Sequence, residues 1–257
     1  LRRTKDEVLD DLPPKTEQVL ECTLDGKQRQ DYDEIRQHYR SSFAAAGSRG
    51  GVEVLKALLR LRQTSCHPGL IDPTRLGESS AKLDVLLPLV EELVDQGHKA
   101  LIFSQFTGFL GIVRAALDAR GLRYSYLDGS TRKREAEVNA FQEDPEVPLF
   151  LVSLKAGGTG LNLTAADYVI HLDPWWNPAV ENQATDRAFR IGQKQNVIVH
   201  KFVCQGTIEQ RIDALIDEKM SLAQELVGDG AGAEKMLTDM SSEELLDFVK
   251  LDVSALA

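Results

Sequence analysis

The stretch Leu149-Phe150-Leu151-Val152-Ser153-Leu154-Lys155-Ala156-Gly157-Gly158-Thr159-Gly160-Leu161-Asn162-Leu163 decides how this chain is read. Its first four residues form an apolar run with the length and composition of a strand buried on both faces, and the run gives way to a glycine-rich turn. The same alternation extends to either side. Ala100-Leu101-Ile102-Phe103 precedes a helix-period segment over 106–120, and Tyr124-Ser125-Tyr126-Leu127 precedes one over 132–142. Tyr168-Val169-Ile170 leads to a helix from Pro178 to about Arg190, and Val197-Ile198-Val199 to a long helix over 206–227. Strands alternating with helices predict an α/β fold with a parallel sheet covered on both faces. Gly121, Gly129 and Gly206 fall at the joints, where helix ends and turns favour glycine.

The first 98 residues read differently. Pro13-Pro14 breaks any helix, and helix-period stretches follow at about 25–45, 52–65 and 80–97. Ala44 to Gly51 has the composition of a flexible loop. The expected organisation is a lead-in and helical subdomain over 1–98, an α/β core over 99–205, a helix over 206–227 and an acidic tail over 228–257. A short amphipathic helix is expected near Glu243–Leu251.

Composition narrows the class. The chain has 257 residues, 42% of them hydrophobic, enough for a sizeable core. No apolar run approaches the roughly 20 residues that span a bilayer, so no membrane partner is expected. The opening Leu1-Arg2-Arg3-Thr4-Lys5-Asp6 has neither Met nor an apolar stretch, and reads as the interior of a longer polypeptide rather than a signal sequence. Cys22, Cys66 and Cys204 are odd in number and far apart, which suits a reduced intracellular protein. Cys66-His67 lacks a second pair of metal ligands, so its role is read as structural and no metal site is expected. The net charge of −10 argues at first against nucleic acid. Residues 225–257 carry eight acids against two lysines, however, so the acidity gathers at one end. A site that holds a phosphate backbone through amides and hydroxyls needs little net positive charge. Charge therefore neither supports nor excludes DNA.

Three stretches carry candidate chemistry. Glycines at the carboxyl end of a strand let backbone amides approach a phosphate, as Gly157 to Gly160 could, although a tight turn without a ligand has the same composition. The stretch lacks the third glycine of a dinucleotide fingerprint. In Gln183-Ala184-Thr185-Asp186-Arg187-Ala188-Phe189-Arg190-Ile191-Gly192-Gln193, helical spacing puts Gln183, Arg187 and Arg190 on one face and pairs Asp186 with Arg190. Two guanidinium groups on such a face suit phosphate oxygens; a solvated face is the alternative. His171-Leu172-Asp173-Pro174-Trp175-Trp176-Asn177-Pro178 holds the chain's only two tryptophans, in a loop between strand and helix. Either ring could pack in the core or stand at a nucleic-acid groove.

Together these stretches resemble the C-terminal lobe of the Swi/Snf family of superfamily-two ATPases over roughly residues 1–227. Ala100–Thr107 resembles the family's motif IV, Leu127–Thr131 the motif after it, Gly157–Leu163 motif V, Asp173–Pro178 motif Va and Gln183–Gln193 motif VI. Leu1–Val8, Leu12–Glu17 and Leu61–Pro68 also match, and Gly206–Ile212 resembles the start of the family's brace helix. The resemblance implies a RecA-like lobe that binds ATP against a first lobe bearing the P-loop and the Mg2+ ligands. It implies that Arg187 and Arg190 act as arginine fingers, with Gln183, Asp186 and Gly158 lining the cleft. Ser104, Lys155, Thr159, Asn162 and Trp176 would meet double-stranded DNA, and the work done would be translocation, often spent on a DNA-bound protein complex. The short Asp128–Arg134 spacing is similar to bacterial members, which implies a cytoplasmic, nucleoid-associated protein. The 257 residues contain no G-x-x-x-x-G-K-[ST], and no Asp-Glu pair follows a strand, so this lobe alone is expected to be inactive as an ATPase. A lobe of another superfamily-two motor, or a silent DNA- or protein-docking module, are the competing readings.

Overall fold

The structure is a computed structural model and describes residues 14–46, 51–156 and 161–216. Gly158, Thr159, most of the lead-in, the end of the 206–227 helix and the acidic tail lie outside the described residues.

Among the described residues six parallel strands form one sheet: β1 (Lys15–Cys22), β2 (Ala100–Ser104), β3 (Tyr124–Leu127), β4 (Leu149–Ser153), β5 (Tyr168–His171) and β6 (Val197–Cys204), in the order β1-β6-β5-β2-β4-β3. The helices are α1 (Gly26–Ala46), α2 (Gly51–Cys66), α3 (Ala81–Asp95), α4 (Thr107–Asp118), α5 (Arg134–Glu143), α6 (Pro178–Thr185) and α7 over 208–216. Every residue of β2 and β4 is buried. Because side chains alternate across a strand, Ala100, Ile102, Leu149 and Leu151 enter one core, shared with α2, α3 and α4. Leu101, Phe103, Phe150 and Val152 enter the other, shared with α5 and α6. This is the RecA-like α/β architecture expected from the sequence.

Local chemistry sets the element ends. Asn177 caps α6 by accepting from the Ala179 amide at 3.0 Å, with Pro178 in the first turn. Gly121 closes α4 at φ +68°, and the Leu122 amide then reaches back to the Leu117 carbonyl at 3.1 Å. His67 is tied into a turn, its Nδ1 accepting from the Gly69 amide at 2.9 Å.

Two elements differ from the sequence reading. β1 was not foreseen in the stretch read as helical subdomain. Most of its residues are exposed because it is an edge strand, so its polar composition hides the strand pattern. The helix expected to reach Arg190 stops at Thr185, whose carbonyl accepts the amides of both Ala188 and Phe189 at 3.0 Å.

The helical N-terminal half is fastened to the sheet by a buried ion pair. Lys82, at the start of α3, donates to Glu209 Oε1 at 2.7 Å and to the Leu172 carbonyl at 2.6 Å, and both charged side chains are 0% exposed. Burial works against the ammonium charge, but Cys66 and Glu209 beside it outweigh burial and hold Lys82 protonated well above the usual lysine range. Glu209 Oε2 accepts from the Cys204 amide at 3.1 Å. Lys82→Met should therefore lower stability in urea unfolding by about 3–5 kcal/mol, since it leaves a buried carboxylate unpaired. Adding Glu209→Leu should restore only part of that, because the Leu172 carbonyl and Cys204 amide still lose their partners. Full recovery in the double variant would reduce the pair to a filler of space.

Candidate functional site

β2 sits mid-sheet, with β4 and β3 on one side and β5, β6 and β1 on the other. In open α/β sheets the crevice beyond the strands' carboxyl ends, where connections diverge, is where ligands bind. The loops after β2, β4 and β5 meet there.

Asp173 knots those strand ends together. It is 1% exposed; the Ser104 hydroxyl donates to its Oδ1, and the Gln105 side chain to its Oδ2 at 2.6 Å. The Ser104 hydroxyl accepts from the Phe106 amide at 3.0 Å, and the Ser104 carbonyl accepts from the Leu154 amide at 3.0 Å. Ser104, expected at a DNA surface, is therefore fully buried, and its hydroxyl is committed within the knot. These bonds tie the ends of β2, β4 and β5 together through Ser104 and Asp173.

The two arginines do not share a helix face. Because α6 ends at Thr185, the Arg187 amide turns to the Ala184 carbonyl at 3.3 Å, and the Arg187 carbonyl accepts from the Leu163 amide at 3.0 Å. Arg187 is 7% exposed, with its guanidinium carbon 5.6 Å from the centre of the Phe103 ring. Its Nη1 is buried without a hydrogen-bond partner, and burial alone pushes its pKa down to about 10. Arg190 and Gln183 are exposed and Asp186 is half-buried. Gln193 fixes this turn by donating to the Ala166 carbonyl at 2.8 Å and the Ala188 carbonyl at 3.1 Å. The segment that follows the glycine-rich stretch is thus stitched to the arginine turn through Leu163 and Ala166. At the loop's described margins, Lys155 and Asn162 are exposed.

The tryptophans straddle the sheet. Trp176 packs against the α3–α4 core and Trp175 against the α5–α6 core, and both rings are half-buried. Under them lies Arg62 of α2, to which the sequence reading gave no role. Its Nη2 donates to the Pro174 carbonyl at 2.5 Å. A signal was available: Val54, Leu58 and Leu61 form a buried apolar stripe on α2, and Arg62 extends it at i+4 from Leu58. Glu181 was also missed. It is 5% exposed, accepts the Trp175 amide at 2.6 Å and lies 3.9 Å from Lys201.

Burial raises the Glu181 pKa from 4.5 to about 7, against the lowering effects of the Trp175 amide and Lys201. The folded state then holds a proton that the unfolded state has lost, so stability should fall as pH rises from about 4.5 to 7. Glu181→Gln should abolish that fall and be more stable than the parent at pH 8, by on the order of 3 kcal/mol. Parallel urea midpoints for the two proteins between pH 5 and 8 would refute the raised pKa.

Comparison with known proteins agrees with this architecture. Residues 1–70 match the SNF2-related domain and residues 81–192 the helicase conserved C-terminal domain. A Bacillus subtilis protein, YwqA, whose name describes an ATP-dependent helicase/translocase, is 38% identical over 99% of this chain. The human SWI/SNF-related matrix-associated actin-dependent regulator of chromatin subfamily A member 1 is 35% identical over 97%. The chain spans 28% and 25% of the lengths of those two relatives. Among solved structures, the Sulfolobus solfataricus SWI2/SNF2 ATPase core in complex with dsDNA superposes with a TM-score of 0.75 at 34% identity, covering 97% of this chain and 53% of that one. The C-terminal domain of the Sulfolobus solfataricus SWI2/SNF2 ATPase gives a TM-score of 0.74 at 32% identity, over 93% of this chain and 99% of that domain. The chain belongs to the SWI2/SNF2 family, and its fold is that of the family's C-terminal ATPase domain.

Proposed function

We propose that this chain is the second motor lobe of an ATP-dependent double-stranded DNA translocase, with Arg187 and Arg190 acting as arginine fingers. The observation that carries the reading is Arg187: a buried guanidinium with an unpartnered Nη1, at the carboxyl edge of a RecA-like sheet and three residues from an exposed arginine. Leaving a buried cation without an anion is costly, and a phosphate delivered from a facing lobe would supply the partner.

Phosphoryl transfer spreads charge over the γ-phosphate oxygens, and catalysis comes mainly from positioning and electrostatic stabilisation. Arg187 is pre-organised for this by the Phe103 ring and by backbone bonds on both sides. Arg190 is free of burial and can close on the phosphate as the lobes approach. Gln183, Asp186 and Gly158 are assigned to the same cleft. Mg2+ and the P-loop are assigned to the first lobe, where the metal would neutralise the β- and γ-phosphates. Linking the fingers to lobe closure makes hydrolysis depend on a conformational step.

Lys155, Thr159, Asn162 and Trp176 are assigned to the DNA backbone, with Ser104 behind them as support. The solved SWI2/SNF2 core bound to dsDNA supports this assignment by its likeness to the chain. Contacts of this kind position a protein on the duplex without reading bases.

Removing an arginine finger lowers turnover by roughly 10³–10⁵. Arg187→Ala and Arg190→Ala in the polypeptide carrying both lobes should each reach at least the low end of that range, while nucleotide Kd changes far less. Arg190→Lys should not rescue. Near-normal kcat in both alanine variants would return the segment to a structural turn. The 257-residue chain alone should release phosphate from ATP no faster than buffer, with or without DNA. A turnover sensitive to Arg190→Ala would overturn the division of the site between lobes.

Asn162→Ala and Trp176→Ala should weaken DNA stimulation of the ATPase more than they lower the melting temperature. For Trp176, unfolding with DNA coupling intact in the residual folded protein would favour packing as its whole role.

A further inference from the structure

The loop from Leu172 to Trp175 is held residue by residue by side chains, most of them from distant parts of the chain. Lys82 donates to the Leu172 carbonyl at 2.6 Å, and Ser104 and Gln105 grip the Asp173 carboxylate. Arg62 donates to the Pro174 carbonyl at 2.5 Å, and Glu181 takes the Trp175 amide at 2.6 Å. Arg62 also meets the rings. Its guanidinium carbon lies 5.2 Å from the centre of Trp176, 6.0 Å from Trp175 and 5.7 Å from Phe106.

Arg62 is a costly choice for this place. It is 4% exposed, and its Nε is buried without a hydrogen-bond partner. Burial lowers its pKa, opposed mainly by the nearby Asp173 carboxylate. Apolar side chains of similar volume fill buried space at lower cost when packing is all that is needed. What a guanidinium adds is geometry: it donates within its plane while offering its face to aromatic rings. One side chain can thereby fix both the backbone of the loop and the attitude of its rings.

We propose that Arg62 is the positioning residue of the two-tryptophan loop: by holding the Pro174 carbonyl and lying against Trp176, it sets the ring presented to the DNA backbone and so tunes DNA affinity without touching DNA. This rests on the assignment of Trp176 to DNA made above. It brings α2, a helix remote in sequence from the strand-end loops, into control of the DNA-facing edge.

Trp175 and Trp176 are the only two tryptophans among the 257 residues, so tryptophan emission, excited selectively over tyrosine, reports on this loop alone. Arg62→Met should shift that emission. In the polypeptide carrying both lobes it should raise the KM for a duplex oligonucleotide about tenfold, the loss of roughly 1.4 kcal/mol. The kcat at saturating DNA should change by less than about threefold. Arg62→Lys should shift emission and KM likewise, because an ammonium cannot hold the carbonyl and lie flat on the rings together. A merely structural Arg62 would instead lower the melting temperature in the Met variant and be rescued by lysine. If Arg62→Met does not melt cooperatively, the lysine variant carries both measurements. Unchanged emission in both variants overturns the positioning role. Shifted emission with an unchanged KM for DNA overturns the tuning of DNA affinity together with Trp176 as the DNA contact, and leaves only the hold of Arg62 on the loop, so the two failures are told apart.

Discussion

The contact between Lys82, Glu209 and the Leu172 carbonyl joins three parts of the molecule. Lys82 opens α3, Glu209 lies in the first turn of α7, and Leu172 follows β5. An ammonium group with no access to water has few arrangements in which all its donors are used, so the three elements can dock in only one relative position. Gln28 extends the junction, its side chain donating to the Thr64 carbonyl at 2.8 Å and accepting from the Ala81 amide at 3.0 Å. Tyr32 accepts the Ile208 amide at 2.7 Å. The helices before the core and the helix after it are thereby joined to the same strand end that bears the tryptophan loop.

That junction explains why a chain that reads as a helical half followed by an α/β half folds around a shared core. Residues of α2 and α3 bury their apolar stripes in the same cluster as Ile102, Leu151 and Ile170 of the sheet. The central strands were legible because burial on both faces demands uninterrupted apolar runs, as in Leu149–Val152 and Ala100–Phe103. β1 was not legible because an edge strand with mostly exposed side chains carries Lys, Thr, Glu and Gln in place of a pattern. Its pairing with β6 depends on residues far away in sequence, which no local reading can supply.

The candidate site was legible as a set of residue types and only in part as geometry. The tryptophans and the two arginines stand out by composition. What helical spacing could not convey is that the ladder ends at Thr185, because the cause is tertiary: the Arg187 carbonyl is taken by the Leu163 amide, and Gln193 binds the turn to the Ala166 carbonyl. Burying Arg187 while leaving Arg190 exposed follows from that ending. Composition likewise could not convey that the Ser104 hydroxyl, expected to meet DNA, is taken by a buried carboxylate. Arg62 and Glu181 were hidden for a related reason, since a single charged residue in an amphipathic helix gives no sign of which carbonyl or amide awaits it.

The edge strand β1 also shapes how the chain reaches its native state. Lys15 pairs with Val197 and Cys22 with Cys204, so β1 finds its partner only after nearly all the other described elements exist. Closing so long a loop is entropically costly, and non-local parallel pairing of this kind slows folding. On a ribosome β1 would emerge before β6, the strand it pairs with, and would wait for it with its backbone groups unpaired. Its polar side chains, Lys15, Thr16, Glu17 and Gln18 among them, keep the waiting segment from recruiting strands of other molecules. The composition that concealed β1 from a sequence reading is thus what protects the nascent chain from aggregation.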